Sequence, residues 1–396
     1  MANVRGMSAT NQVASQDRVV DMAKDVILLE PDKNQMVKFV SDLKKEVTIN
    51  PEFHHQTDQI VQFIDQVSGA VANAADDTIP VDNGDRWLPN DVILVTSGTS
   101  VVEVMRVLSV SSNTLTVTRQ LVAGTGDSMA DNDYLLKVSS AWGEGSGVRD
   151  SSGTALSLQT TKVDNYNYAQ VEKTVVSLTN SQEAYSSAGG HYSGDARKYD
   201  QARAGMEHAK KMNQTCYFGK RYASGNLRLT GGFIEAITRT ASTSSLTHAN
   251  IDTDVNTFMR YGSNKKKLFT TRRVSGKISK IAADKIVVND GAGHTGGGDI
   301  DKGATYGARV RTFIADGGEF DIIVDDTLGD VTAFLGYGLF IDPADIAYRF
   351  APGRDTKLHL DAQLPGEDGK TDYYLTEWGI QRGNTSYHGM WTSVAA

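Results

Sequence analysis

The chain has 396 residues, 39% of them hydrophobic, and a formal net charge of −8. That length exceeds what one compact core usually serves and predicts two or three domains, and the negative charge argues against bulk binding to nucleic acid or anionic membranes. One cysteine, Cys216, excludes an intrachain disulfide, and no apolar run in the sequence approaches the roughly 20 residues that span a bilayer.

The N-terminal region predicts two helices. The preceding stretch, MANVRGMSATNQ, lacks the apolar segment of a signal peptide, so we expect the chain to be made and used in a reducing cytoplasm. Residues 16–29 form the first helical pattern, Pro31 ends it, and Asp32 can cap the next helix. The second pattern has apolar residues at spacings of four, three and four: Met36, Val40, Leu43 and Val47. The two helices either pack on a core of their own or form an arm on another subunit.

The next region changes to β character. Residues 51–58 predict a short strand, and residues 60–71 are apolar enough for a short helix or strand. Residues 77–138 contain short strand patterns at roughly ten-residue spacing, separated by turn sequences such as DNGD and SGTS. We expect a small barrel or sandwich, inserted in a longer extended element.

Residues 143–157 predict a loop, and residues 158–178 resume β character. The strongest helix pattern covers residues 195–219 and stops at Gly219. Its apolar residues recur at spacings of three, four, three and seven, which predicts one buried face: Tyr199, Ala202, Met206, Ala209 and Cys216.

The C-terminal half mixes both types of element. Helices are predicted over 252–261 and 274–283, with a strand over 267–271 between them. A glycine-rich loop follows at 291–303. The remaining strands comprise a hairpin, 309–314 with 319–324, and strands near 336–341, 346–350, 356–360 and 371–382. Helices and strands without regular βαβ alternation indicate the α+β class.

The sequence does not match the familiar motifs of catalysis and metal binding. In the glycine-rich loop Lys302 precedes Gly303, whereas a phosphate-binding loop needs Gly-Lys-Ser/Thr at the start of a helix. His54 and His55 are adjacent on a predicted strand and point to opposite faces, which argues against a shared metal with Asp58. We therefore assign no catalytic, cofactor-binding or metal-binding residue and no cofactor.

Three other features have structural interpretations. Asp325 and Asp326 predict a turn or helix cap, because an acid–base pair would need partners that the sequence does not supply. Cys216 lies on an apolar helix face and is expected to be a buried thiol. A basic cluster contacts phosphate, pairs with acidic patches of neighbouring subunits, or forms a solvated face: Lys265, Lys266, Lys267, Arg272 and Arg273.

Six segments in order resemble the major capsid proteins of tailed bacteriophages, which have the Hong Kong 97 fold. The branch that matches carries a β module inserted in its extended loop. The segments are LLEPDKNQMVKFV (28–40), PEFHHQTDQ (51–59), GDRWLPNDVILV with EVMRVLSVSSNTLTVTRQL (84–95 and 103–121), WGEGS with DNYNYAQ (142–146 and 164–170), RLTGGFIEAI (228–237) and TEWGIQRGNTSYHG (376–389). One departure is His55, which stands where a Trp is more usual.

The resemblance implies a domain organisation. It comprises an N-terminal arm (1–50), an extended loop (51–178) with an inserted β domain at about 77–142, a peripheral domain (179–249) with a spine helix (195–219), a mainly axial domain (250–340), and closing strands of the peripheral domain (341–396). The extended loop would lie over a neighbouring subunit and find its apolar cover there.

The resemblance also implies a function. The chain would be a structural major capsid protein, not an enzyme, that self-assembles into hexamers and pentamers of an icosahedral phage head enclosing double-stranded DNA. Assembly would take place in the host bacterial cytoplasm, with scaffolding, portal and decoration proteins as partners, non-specific contact with DNA, and no membrane. Some family members crosslink a Lys to an Asn between subunits; no such pair maps onto this sequence, and none is predicted.

Two alternatives stay open at this point. One is an encapsulin-like nanocompartment shell, which shares the fold and encloses cargo enzymes. The other is a ligand-binding protein or enzyme whose site is dispersed in the sequence.

Overall fold

The protein divides into two compact units, Met1–His55 with Asn165–Ala396, and Gln56–Asp164. The computed structural model describes residues 34–394 apart from 74, 98–99, 122–127, 150–154, 161, 189–195, 243–245, 284–310 and 316. The predicted helix at 16–29, the Asp32 cap and the glycine-rich loop at 291–303 lie outside the described residues.

Both helices and strands are present, as the α+β class requires. The described α-helices are α1 (Gln35–Asp42), α2 (Asn180–Ala188), α3 (Ala196–Phe218), α4 (Phe233–Ala236), α5 (His248–Met259) and α6 (Arg272–Ala283). The strands before α3 are β1 (Lys44–Val47), β2 (Glu52–Thr57), β3 (Ile64–Gln66), β4 (Thr78–Pro80), β5 (Asp91–Ser97), β6 (Ser100–Ser111), β7 (Thr114–Thr118), β8 (Tyr134–Ser140), β9 (Val163–Tyr168) and β10 (Gln170–Thr179). The strands after α3 are β11 (Tyr222–Ser224), β12 (Leu227–Leu229), β13 (Thr240–Ala241), β14 (Lys265–Thr270), β15 (Thr312–Ala315), β16 (Gly318–Val324), β17 (Gly338–Ile341), β18 (Ile346–Phe350), β19 (Lys357–His359), β20 (Gly369–Arg382) and β21 (Gly389–Trp391).

The first sheet of the larger unit has the strand order β1-β18-β20-β10, with β19 also paired to β20. The long strand β20 pairs antiparallel with all of β10, from Gln170 opposite Trp378 to Thr179 opposite Gly369. The predicted strand at 371–382 is thus confirmed, and it holds together segments about 200 residues apart in sequence, a non-local pairing that no local pattern encodes.

The second sheet of this unit has the order β13-β21-β17-β14-β16-β15 and is apolar on both faces. On β14, Phe269 packs in the same core as α1 and α3, whereas its neighbour Leu268 packs in the core of α5 and α6. Because successive side chains point to opposite faces, a sheet covered on both sides needs apolar residues at adjacent positions, which Leu268-Phe269, GLFI and GMW supply. The predicted hairpin at 309–324 is confirmed as β15 and β16.

The predicted second helix is correct only in its first half. Met36 and Val40 are buried on α1, but the helix ends at Asp42. Val47, expected on the same helical face, lies on β1 opposite Phe350 of β18. The correction has a physical cause: parallel pairing with β18 satisfies the backbone of residues 44–47, and Val favours an extended conformation.

The helix predicted at 195–219 is confirmed as α3, but of its predicted buried face only Cys216 is fully buried. Six described side chains of α3 are buried, and two of them, His208 and Asn213, are polar. The other four are Ala204, Met212, Cys216 and Tyr217. Ala202, which was expected inside, is exposed. An apolar-only periodicity skips His208 and Asn213, because a polar side chain enters a core whenever hydrogen bonds satisfy it there.

Unit 56–164 contains a closed six-stranded barrel. The ladder runs β3-β8-β5-β6-β7-β4, and the bridge between Val67 and Val81 joins the two ends. A single apolar cluster fills the inside, with Ile79, Ile93 and Leu115 among its fully buried members. The predicted barrel or sandwich at 77–138 is therefore a barrel, and it begins earlier than expected because β3 belongs to it. Closure removes the free strand edges that an open sheet would expose.

Candidate assembly surfaces and buried polar contacts

The basic cluster is largely neutralised within its own chain. Lys265 pairs with Glu319 at 2.7 Å, Lys267 pairs with Asp321 at 2.6 Å, and Arg272 pairs with Asp326 at 2.6 Å. The first two pairs follow from the parallel register of β14 and β16, which sets Lys265 opposite Glu319 and Lys267 opposite Asp321. Since the carboxylates come from this chain, these three cations need neither a neighbouring subunit nor phosphate to balance their charge. Lys265 and Arg272, 58% and 78% exposed, agree with the interpretation as a solvated face.

Lys266, the middle residue of the cluster, points the other way and is fully buried. Its Nζ donates to the backbone oxygen of Tyr261 at 3.0 Å and lies 3.4 Å from Asp342 Oδ2. Burial lowers the pKa of Lys266, and Asp342 opposes that shift. The ammonium group thus ties β14 to the end of β17, a structural role that alternation along the strand explains.

The predicted cap at Asp325 is confirmed and extends further than a cap. Its Oδ1 accepts from the Thr327 amide at 2.9 Å at the start of a short 3₁₀ helix. Its Oδ2 accepts from the Tyr217 hydroxyl at 2.9 Å, from Asn213 Nδ2 at 3.1 Å and from the Met36 amide at 3.3 Å. One buried carboxylate therefore joins α1, α3 and the segment after β16.

A chain of hydrogen bonds crosses from α3 to the first sheet through His208. Lys211 Nζ donates to Thr174 Oγ1 at 3.1 Å, and Thr174 Oγ1 lies 3.0 Å from His208 Nδ1. On the other side His208 Nε2 lies 2.8 Å from Thr376 Oγ1, which donates to Thr356 Oγ1.

The Thr376 hydroxyl gives its one hydrogen to Thr356, so His208 Nε2 donates to Thr376 Oγ1. Neutral His208 therefore carries its proton on Nε2 and accepts at Nδ1 from the Thr174 hydroxyl. Burial lowers the pKa of His208 to about 4, with a smaller contribution from Lys211.

A second ion pair anchors the start of α3 to β20. Arg197 Nε and Nη2 donate to the two oxygens of Asp372, each at 2.6 Å. The Arg197 hydrogen bond lowers the pKa of Asp372 to about 2. Asp361, more exposed, accepts from the same guanidinium at 2.7 Å.

The remaining candidates, Cys216, His54 and His55, have the neighbours of structural residues. Cys216 is buried and unpaired by any disulfide, as expected of a core thiol. His55 Nε2 contacts the Gly383 carbonyl oxygen at 2.8 Å, whereas His54 lies beside Glu52 at 3.1 Å, so the two rings have different neighbours. Among the described residues no group of three or more His, Cys, Asp or Glu could hold a metal, and no described helix has the length and hydropathy to cross a membrane.

Apolar side chains remain uncovered at one edge of the larger unit. β10 ends the order of the first sheet, so its outer edge has no partner strand among the described residues. Val171 and Val175 are exposed on the outward face of β10. At the other end of the same sheet, Ile49 is 98% exposed just after β1. Unpaired strand edges next to exposed apolar residues are typical of surfaces that another chain covers.

Comparison with known proteins gives one family. A model of the family described as SU10 major capsid protein matches residues 5–395. No curated protein matches the chain.

One of the similar solved structures supports the fold, and two others are more distant. The capsid asymmetric unit of cyanophage A-1(L) is similar with a TM-score of 0.51 at 9% identity, covering 98% of this chain and 99% of that one. A structure from Mycobacterium phage Adephagia has a TM-score of 0.48 at 8% identity, covering 99% of both chains. The SrpI encapsulin of Synechococcus elongatus PCC 7942 has a TM-score of 0.40 at 9% identity, covering 59% of this chain and 78% of that one.

Proposed function

The chain belongs to the SU10 major capsid protein family, and from that premise we propose that it forms the hexamers and pentamers of an icosahedral phage head around double-stranded DNA. Its role as a structural capsid protein carries over from the family. The match over residues 5–395 is the observation that carries the proposal, because it includes both compact units rather than one shared domain.

The extended loop of the proposed subunit comprises residues 51–178. Unit 56–164 supports this assignment, because it has its own apolar core and lies within the chain between two parts of the larger unit. The strands that lead into and out of it, β2 and β9, pair with each other. We propose that this loop lies over a neighbouring subunit, so that the folding energy of the shell is shared across repeated interfaces.

The remaining domains of the proposal follow the sequence prediction. Residues 1–50 form the arm, residues 179–249 and 341–396 the peripheral domain, and residues 250–340 most of the axial domain. In support, α3 and the first sheet share one core, whereas α5 and α6 pack on the second sheet in another.

The proposed subunit catalyses no reaction. It assembles in the host bacterial cytoplasm with scaffolding, portal and decoration proteins as partners. Its contact with packaged DNA is non-specific: the net charge of −8 avoids the strong phosphate attraction that would hold the polymer to the wall.

Expression of this chain followed by size-exclusion chromatography and negative-stain microscopy tests the proposal. We expect rings of capsomer size or closed icosahedral particles. A strict monomer at all concentrations, with a small-molecule ligand bound, would instead support the dispersed-site enzyme. Particles that retain a co-purifying enzyme from the host as protein cargo would support the nanocompartment.

A further inference from the structure

The barrel of unit 56–164 has an unusual outer surface on four of its strands. The register places Ile64 of β3 opposite Leu136 of β8, Leu136 opposite Leu94 of β5, and Leu94 opposite Val104 of β6. These side chains alternate with the buried residues that fill the barrel, so they point outward. With two flanking residues they form what we call the apolar wall: Ile64, Val92, Leu94, Val104, Tyr134 and Leu136.

The other two strands show what the same barrel does where it faces water. On β4 and β7 the outward positions include Thr78 opposite Thr116, while Ile79, Leu115 and Val117 fill the interior. Threonine forms strands as well as the larger β-branched residues do. Strand formation alone therefore does not require Leu, Ile and Tyr on the opposite wall.

Three of the six side chains of the apolar wall are exposed and the other three are half-buried. Ile64, Leu136 and Tyr134 are 43%, 37% and 52% exposed. The barrel cannot cover them with its own strands, because its ladder already closes between Val67 and Val81. A contiguous apolar surface of this kind marks a site of contact with another molecule.

The charges around the wall indicate what kind of molecule fits. Several of the barrel's ionised side chains pair with each other, as in Lys137 with Asp91 and Arg119 with Glu103, both at 2.6 Å. Arg106, at the border of the wall, donates to Asn90. The six residues of the wall are uncharged, and the cation beside them, Arg106 opposite Val92, is hydrogen-bonded to Asn90. The wall therefore offers no cluster of cations to nucleic acid and no cluster of like charges that would repel an identical chain.

We propose that the apolar wall is buried against a neighbouring copy of this chain. The inference rests on the proposed function, since a shell places identical subunits beside each other at every position. It adds to that function the surface of the inserted barrel by which one subunit contacts the next.

Cysteine accessibility tests the proposal on the full chain. Leu136→Cys places a thiol on the wall, and Thr78→Cys places a matched thiol on the polar side of the same barrel. The native Cys216 is buried, so the parent chain serves as the blank for maleimide labelling. Monomer and assembled fractions are separated by size exclusion and labelled under the same conditions.

We expect L136C to be labelled quickly in the monomer and about tenfold or more slowly in the assembly, since interface cores are packed as densely as protein interiors. T78C should be labelled equally in both. Equally fast labelling of L136C in both fractions overturns the proposal, because the wall would then be free or reserved for a different protein. Slow labelling in the monomer also overturns it, since the chain would then cover its own wall.

A second pair of variants gives a readout without labelling. L136K should lower the melting temperature of the assembled fraction while leaving the far-UV spectrum of the monomer unchanged, and T78K should do neither. Assembled L136K that melts like the parent chain overturns the inference alone. If the parent chain stays monomeric in every size-exclusion run, the inference and the proposed function are both overturned.

Discussion

Acid pH should weaken the contact between α3 and the first sheet through His208. In the folded subunit Thr174 donates to His208 Nδ1, so a proton on that nitrogen removes this hydrogen bond and places a second buried cation beside Lys211, which donates to the same Thr174 oxygen. Of the other ionisable groups near this contact, Glu172 lies beside Lys211 on the sheet side, and burial raises its pKa.

The sign of the effect follows from the direction of the shift. The pKa of His208 is about 4 in the folded subunit against a usual value of 6.5. The unfolded chain therefore binds the proton more readily, so the stabilisation is complete above pH 6.5 and declines as pH falls toward 4. Linkage for this single group gives a loss of about 2.5 kcal/mol between pH 8 and pH 4.5.

Urea unfolding of the monomer, followed by circular dichroism from pH 8 to pH 4.5, measures this loss. His208→Gln removes the titration while Nε2 of the amide can still donate to Thr376. We expect H208Q to be less stable than the parent by about 1–2 kcal/mol at pH 8, because one hydrogen bond is lost. The difference should shrink or reverse at pH 4.5.

Gln214, exposed on the same helix, provides the control. Q214A should keep the pH dependence of the parent chain. If H208Q and the parent lose stability in parallel between pH 6.5 and pH 4.5, the neutral His208 in its hydrogen-bond chain is not the acid-sensitive contact.

Three further substitutions have neighbours that serve as controls. D372N should lower the free energy of unfolding in urea by about 3 kcal/mol, because it leaves the Arg197 guanidinium without its buried partner. D361N, at the exposed partner, should lower it by less than about 1 kcal/mol. Equal losses of stability in the two variants would contradict this ranking. D325N should lower the free energy of unfolding by about 2–4 kcal/mol and speed hydrogen exchange across 35–42, because the new amide group faces donors. D326N, whose partner Arg272 is largely exposed, should change stability and exchange little. Unchanged exchange in α1 of D325N would refute the role of Asp325 in holding that helix. G84A would place its Cβ 1.7 Å from the Ser112 carbonyl oxygen and should make the barrel sensitive to limited proteolysis. G143A, whose Cβ meets nothing within 4 Å, should not. A protease-resistant barrel in G84A would show that the backbone at Ser112 can move away from the new methyl group.

Much of the secondary structure was predictable because its signals are local. Alternation and turn residues predicted the strands of the barrel, and helical spacing with Gly219 predicted α3. The Asp325 cap also followed from nearby residues. The resemblance of six ordered segments added the family, which the match over residues 5–395 confirms.

Other features depended on partners far along the chain. β1 exists because β18 pairs with residues 44–47, so a helical pattern that included Val47 was misleading. The hairpin β11–β12 and the strand β21 were missed, because short pairings carry little periodicity. The basic cluster looked like a surface patch until the register set two of its lysines opposite carboxylates.

The amino-acid order alone was enough for the class of fold, the site of the barrel and the capsid family, since hydrophobic spacing, turn chemistry and ordered motifs are written along the chain. It did not reveal which polar side chains are buried or which apolar ones stay outside. His208 lies in a core and Leu136 lies on a surface because of hydrogen bonds and strand closure between segments distant in sequence. Residue type gives the cost of burying a side chain, but whether that cost is offset depends on the neighbours that folding brings to it.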